Sequence, residues 1–328
     1  MRVRTTVAAA VATVVLVLTM VLATCLGAVS IPLPEVASAL LHHSGTNGAI
    51  VWEIRFPRVV LAGLVGAALS IAGASYQGVF RNPLADPYLL GAAAGAGTGA
   101  TVAIGFLHSQ IWLPPLAFVG AFAGVSLAWF VGSAAGGLRN PAVMLLAGVA
   151  VSSFLTAVQT LLQQQRTDSL QQVYSWILGQ LSTGGWGATR RMAPYLIVSS
   201  VVLLAHGRAL DLLSLGDEKA STLGVPVTRV RLVVIAAASM ATAAAVASSG
   251  LIGFVGLVVP HIVRRLFGLS YRVVLPLSLL VGASFLVLAD LVARTVLAPA
   301  ELPIGVVTAF AGAPFFAGLL RATRRRWS

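Results

Sequence analysis

The chain has 328 residues, 58% hydrophobic and only 9% charged, against roughly 25% charged in an ordinary soluble protein, so a water-facing globular surface is excluded. The net charge of +12 comes from cations at the ends of apolar runs rather than from one basic face or tail, which argues against nucleic-acid binding and for charge that sets membrane topology. A single cysteine, Cys25, excludes an internal disulfide and any multi-cysteine metal site.

The first apolar stretch runs from Val7 to Val29 behind Arg2 and Arg4. Leu22-Ala23-Thr24-Cys25 could end a lipoprotein-like signal, but the stretch exceeds the usual 7–15-residue signal core and Thr24 is large for a cleavage site. It is read as a first membrane helix. The following loop holds His42 and His43, with Glu35 and Glu53 as the only carboxylates near in sequence, a thin basis for a metal site.

Further apolar runs near the ~20 residues that cross a bilayer follow at Val59–Val79, Leu89–Leu107, Leu116–Ala135 and Ala142–Leu162. The second half continues with Met192–Ala205, Leu232–Ala247, Leu251–Phe267, Val273–Leu297 and Ile304–Leu320. Met192–Ala205 is short for a span, and Leu251–Phe267 carries Pro260, Arg264 and Arg265. The expected fold class is all-α, a polytopic membrane protein of about ten transmembrane helices.

With the N-terminus in the cytoplasm, ten alternating spans place fifteen Lys and Arg residues inside and six outside, satisfying the positive-inside rule. The inner set includes Arg81, Arg139, Lys219, Arg325 and Arg326; the outer set is Arg55, Arg58, Arg166, Arg190, Arg191 and Arg294. Both termini are then cytoplasmic. Gly91, Gly95 and Gly99, with Gly63, Gly66 and Gly73 one span earlier, form small-residue faces that let helices approach closely in lipid. Leu64-Val65-Gly66-Ala67 and Leu280-Val281-Gly282-Ala283 are alike, too little for an internal repeat.

Three polar features stand out. Arg81-Asn82-Pro83-Leu84-Ala85-Asp86-Pro87 has the prolines and Asx residues of a tight inter-helix turn. Between Gly216 and Gly224, a helix of one or two turns is expected, with Asp217 and Glu218 at its N-terminus, where the dipole favours negative charge. It is either a solvated connector or a docking element. Asp290 and Arg294 are four apart, on one helical face, and a charge deep in a bilayer needs a partner, so a structural pair is favoured over a proton relay. Gln159, Gln163, Gln164 and Gln165, followed by Tyr174, Trp176, Gln180 and Trp186, could line a weakly interacting pathway or simply sit at a membrane interface.

These segments, with Arg55-Phe56-Pro57-Arg58, Gln77, Gly253-Phe254-Val255-Gly256-Leu257-Val258-Val259-Pro260-His261 and Glu301-Leu302-Pro303-Ile304-Gly305, stand in an order that resembles the FecCD-type permease family from about Trp52 to Leu320. That resemblance implies a single transmembrane permease domain over residues 1–328 in a cell (inner) membrane, within a type II ABC importer for ferric siderophores, haem or vitamin B12. It implies two permease chains around a pathway, two cytoplasmic ATPase subunits that bind ATP and magnesium, and a periplasmic or lipid-anchored binding protein, with no cofactor on this chain. It assigns Arg55, Arg58 and Arg294 to docking the binding protein, and Asn82 and Leu84 to the cytoplasmic gate. The coupling segment is 207–230, where Leu215, Gly216, Asp217, Glu218, Ala220, Leu223 and Gly224 meet the ATPase. A second gate element falls at Arg139-Asn140-Pro141-Ala142, which departs from the small hydroxyl residues of the family's vitamin B12 permease.

The chain lacks a phosphate-binding loop, because its only lysine, Lys219, sits between Glu218 and Ala220. ATP hydrolysis, if coupled, belongs to another subunit. No His-Glu-x-x-His or Gly-x-Ser-x-Gly element supports an intramembrane enzyme. An ion-coupled secondary transporter is the main alternative, with Asp290 its one candidate coupling carboxylate.

Overall fold

The computed structural model describes residues 2–27, 29–42, 48–137, 140–181 and 185–324. His43, Arg139, Arg325 and Arg326 lie outside the described residues. The described chain is helical without strands, as the run of apolar segments requires.

In chain order the helices are α1 (Arg2–Cys25), α2 (Leu33–His42), α3 (Phe56–Phe80, entered through a π-helical turn at Ile50–Arg55), α4 (Ala92–Gly105), α5 (Leu113–Ala134), α6 (Pro141–Gln164) and α7 (Leu170–Ile177). They continue as α8 (Gly185–Ala205), α9 (Gly207–Leu213), α10 (Asp217–Thr222), α11 (Val227–Ser249), α12 (Val255–Phe267), α13 (Tyr271–Thr295) and α14 (Ile304–Arg324). Each of the ten expected apolar runs coincides with a helix. Among the described residues, α1, α3 with its π turn, α5, α6, α8, α11 and α13 are long and apolar enough to cross a membrane.

The other three, α4 with 14 residues, α12 with 13 and the apolar Ile304–Gly318 part of α14, are shorter. At 1.5 Å per residue they rise roughly 20 Å, short of a ~30 Å hydrocarbon core. Irregular backbone at membrane depth is tolerated where protein buries it and supplies its hydrogen bonds. That is what surrounds them: the Gln180 amide donates to the Ser249 carbonyl and the Gly305 amide to that of Leu178. Tyr88 Oη both donates to the Ile252 carbonyl and accepts from its amide.

α3 is the axis of the bundle, packed by α8, α11, α12 and α13, which is why nearly its whole length is buried. The small-residue faces act as expected. A Cβ on Gly73 would lie 2.0 Å from the Gly256 carbonyl oxygen of α12, and one on Gly66 2.2 Å from that of Gly282 in α13. The two Leu-Val-Gly-Ala segments thus meet each other. Gly95 and Gly99 make the same backbone contact with α5. α1 lies along α13 as part of the bundle, in line with the membrane-helix reading of the N-terminal stretch.

Candidate functional site

Two charged features sit at opposite ends of α3. At its N-terminal end, the inward-facing side chains of α3 and α13 converge. Arg58 Nε donates to Asp290 Oδ1 at 3.0 Å, and its Nη1 donates to Glu301 Oε1 at 2.9 Å. Arg294 Nε stands 3.0 Å from Asp290 Oδ2. That approach is a charge contact without hydrogen-bond alignment, since neither atom is bonded by geometry. Asp290, 1% exposed, is therefore held between two guanidinium groups.

The same arginines tie down the end of α1. Arg294 Nη2 donates to the Ala23 carbonyl at 2.9 Å, and Arg55 Nη1 donates to those of Thr24 and Cys25 at 3.3 Å. Arg55 Nη2 donates to the Val29 carbonyl. These oxygens include helix-terminal carbonyls that no further turn of α1 can satisfy.

The three arginines expected to dock the binding protein thus also make contacts inside the chain. Arg55 is 9% and Arg294 6% exposed, with their donors spent inside the chain, because the helix face that carries them points at α1 and α13. Glu301, 45% exposed, and Glu53 of the π-helical turn are exposed acidic groups at this end. Sequence reading found Asp290 with Arg294 but missed Arg58, which lies 232 residues from Asp290 along the chain and 243 from its other partner, Glu301.

At the other end, Arg81 closes α3 in a left-handed conformation (φ 49°), and the chain turns through Asn82, whose side-chain oxygen accepts from the Leu84 amide at 2.9 Å. Leu84 is exposed. Asp86 accepts from the Tyr88 amide at 2.8 Å, and burial pushes its carboxyl up to about 6 against that bond. Asn140, described where Arg139 is not, caps α6 through the Ala142 amide at 3.0 Å.

α10 has the expected bounds. Gly216 (φ 108°) and Gly224 (φ 83°) bracket it in backbone conformations that L side chains rarely adopt. Leu215 and Leu223 are exposed, as are Glu218 and Gly224, while Ala220 is buried and anchors the element to the bundle. Asp217 Oδ1 lies 2.8 Å from Arg231 Nη2 at the start of α11 and 3.5 Å from Arg81 Nη2 at the end of α3. One carboxylate oxygen thus joins α10 to both helices and to the Asn82–Leu84 turn. α9, not foreseen, supplies Asp211, which accepts from the Ser270 hydroxyl and the Tyr271 amide and so caps α13.

Gln77 is buried between α3 and α12, donating to the Gly256 carbonyl at 3.1 Å and accepting from Arg264. Gln159, read as a candidate for the pathway lining, is 9% exposed within this chain, and its amide packs onto Gly97 of α4. Gln163 is half-buried on the same helix. Trp186 likewise turns inward, donating to the Trp52 carbonyl and packing on the Trp52 and Phe56 rings. His42 has no described side chain.

A solved structure described as an inward-facing conformation of a metal-chelate type ABC transporter superposes with a TM-score of 0.86 at 31% identity, covering 96% of this chain and 98% of that one. The fold is that of a type II ABC importer permease. An uncharacterized ABC transporter permease protein, YvrB, of Bacillus subtilis is 43% identical over 90% of this chain and 87% of its own. The cobalamin import system permease protein BtuC of Halobacterium salinarum is 44% identical over 84% and 74%, and the hemin transport system permease protein HmuU of Yersinia pestis 40% over 95% and 96%. The chain belongs to the FecCD transport family, which matches residues 15–322.

Proposed function

We propose that this chain is the membrane-spanning permease subunit of a binding-protein-dependent importer that moves a metal chelate into the cytoplasm by alternating access. Two copies frame the pathway, and two ATPase subunits dock on α10 from the cytoplasmic side, where both termini also lie. The observation that carries the mechanism is the Asp217 bridge. A force on the exposed Leu215 and Leu223 reaches α3 through Arg81 and α11 through Arg231, and so reaches the Asn82 and Leu84 gate turn.

The binding protein docks over the end of α3 that carries Arg55, Arg58 and Arg294. Glu301 and Glu53 are exposed there, and Arg58 is partly so. Surface charges of this kind set register and encounter rate more than affinity. The cargo order is ferric siderophore first, then vitamin B12 or haem; relatives named for cobalamin and hemin import support a chelate without selecting one. An ion-coupled carrier is the weaker reading, because Asp290 is already held by Arg58 and Arg294 and so is not free to bind a coupling ion.

The test is reconstitution with the partner ATPase and candidate binding proteins, following ATP-dependent uptake of each chelate. Uptake of one chelate that needs all three components is expected; uptake driven by an ion gradient alone defeats the proposal.

A further inference from the structure

Two adjoining hollows open on the flank of the bundle, and the first is bordered by Trp176 and Gln180, two of the residues read as candidate pathway lining. One, of about 590 Å³, lies among α5, α7, α8 and the end of α11 and is lined by Gln110, Gln171, Gln172, Ser175, Ser248 and Arg191 among others. The next, of about 610 Å³, runs between α5 and α8 and is lined mainly by Phe118, Val119, Met192, Pro194 and Tyr195. They share Pro114, Arg191, Ala247 and Ser248. A polar cup therefore opens directly into an apolar trough, with Arg191 at the junction.

No carboxylate lines either hollow; Asp168 lines a smaller neighbour that shares Gln110 and Gln172. Arg191 is exposed and has no ion-pair or hydrogen-bond partner among the described residues. Its positive charge is thus uncompensated, in a wall that sets amide and hydroxyl groups among apolar side chains such as Ile104, Leu113 and Trp176. The trough is walled by the Phe118 and Tyr195 rings, 5.0 Å apart, and flanked by exposed Val119, Ile197 and Val198 on helices long and apolar enough to cross a membrane. Arg191 stands in the second turn of α8, so its long side chain can reach headgroup level while Tyr195 and Val198 stay in hydrocarbon.

We infer that these hollows form a binding site for one anionic phospholipid of the leaflet at the N-terminal end of α8, its phosphate on Arg191 and the amides of the cup, and an acyl chain in the trough. The charge of the cup selects an anion, and the continuous trough selects one with a tail. A small soluble anion would leave the trough empty, and a zwitterionic phospholipid would bring its own headgroup cation up against Arg191.

The full chain is incorporated in nanodiscs of equal phosphatidylglycerol and phosphatidylcholine, extracted in mild detergent, and the retained lipid is identified by native mass spectrometry. Preference for phosphatidylglycerol of about tenfold is expected from one charge-assisted contact. Arg191→Gln should abolish that preference, Arg191→Lys should keep most of it, and Arg190→Gln, altering a cation that lines neither hollow, should leave it unchanged. Equal retention of both lipids overturns the inference, as does an Arg191→Gln protein that behaves as wild type. Equal losses in Arg190→Gln and Arg191→Gln would mean general surface charge. Displacement of the lipid by millimolar glycerol phosphate would mean a small-anion site, and either outcome also overturns it.

Discussion

Replacing Asp290 by Asn removes the one carboxylate that holds both the partly buried Arg58 and the buried Arg294. Arg58 keeps Glu301, but that partner is 45% exposed and its contribution is screened. Arg294, 6% exposed, keeps only the carbonyls of Ala23 and Leu26. Breaking a buried ion pair on one side costs about 3–5 kcal/mol, most of it the penalty of the charge left behind. For a chain of this size that lowers the melting temperature by roughly 5–15 °C. The assay is thermal denaturation in detergent, followed by size-exclusion chromatography. A second variant separates the causes: Asp290→Asn with Arg294→Gln removes the stranded cation and should recover part of the loss, by the logic of a double-mutant cycle. If Asp290→Asn melts within about 2 °C of the wild type, or if the double variant is as unstable as the sum of the two singles, the buried cluster is not the structural knot described above.

Asp217→Asn should leave the fold intact but loosen α10 from Arg81 and Arg231. In a complex reconstituted with its ATPase, transport per ATP hydrolysed should fall about fivefold or more, the scale of a 1 kcal/mol coupling; unchanged stoichiometry would remove Asp217 from the transmission path. Gly73→Ala puts a methyl group 2.0 Å from a backbone oxygen that cannot move aside without shifting α12, and should cost about 1–3 kcal/mol or more; a wild-type melting temperature would mean that α3 and α12 are farther apart than described. Asp86 has a folded-state value of about 6 against an ordinary 3.8, so its contribution favours folding below about pH 4 and is lost as pH rises through about 6. Asp86→Asn should therefore raise stability at pH 7, by at most roughly 3 kcal/mol, and flatten the melting-temperature profile between pH 4 and 6; a profile identical to wild type would show the carboxyl to be hydrated.

Much of this architecture was legible because lipid imposes a simple rule on sequence. Long apolar runs marked α3, α5, α6, α11 and α13 directly, and Gly216 and Gly224 bracketed α10 because few other residues adopt its flanking backbone angles. α8 extends seven residues before the expected Met192, since Arg190 and Arg191 interrupt hydropathy without interrupting a helix. α2, α7 and α9 were missed because they are short and take their stability from packing rather than from a local pattern. The direction a side chain takes was the least legible quantity. Gln159 sits on a helix that was correctly located and Arg55 in the π-helical turn before another, yet which neighbour each faces depends on α4 and on the end of α1, and no spacing within either segment encodes that.

The claim at the centre is that work enters this bundle from a separate ATPase through α10. The direct measurement is chelate uptake by proteoliposomes holding the permease, its ATPase subunit and a loaded binding protein, repeated with a hydrolysis-deficient ATPase and with Asp217→Asn. Uptake that requires hydrolysis and weakens with the Asp217 variant is the predicted result. Uptake that persists without hydrolysis under an imposed ion gradient would contradict it.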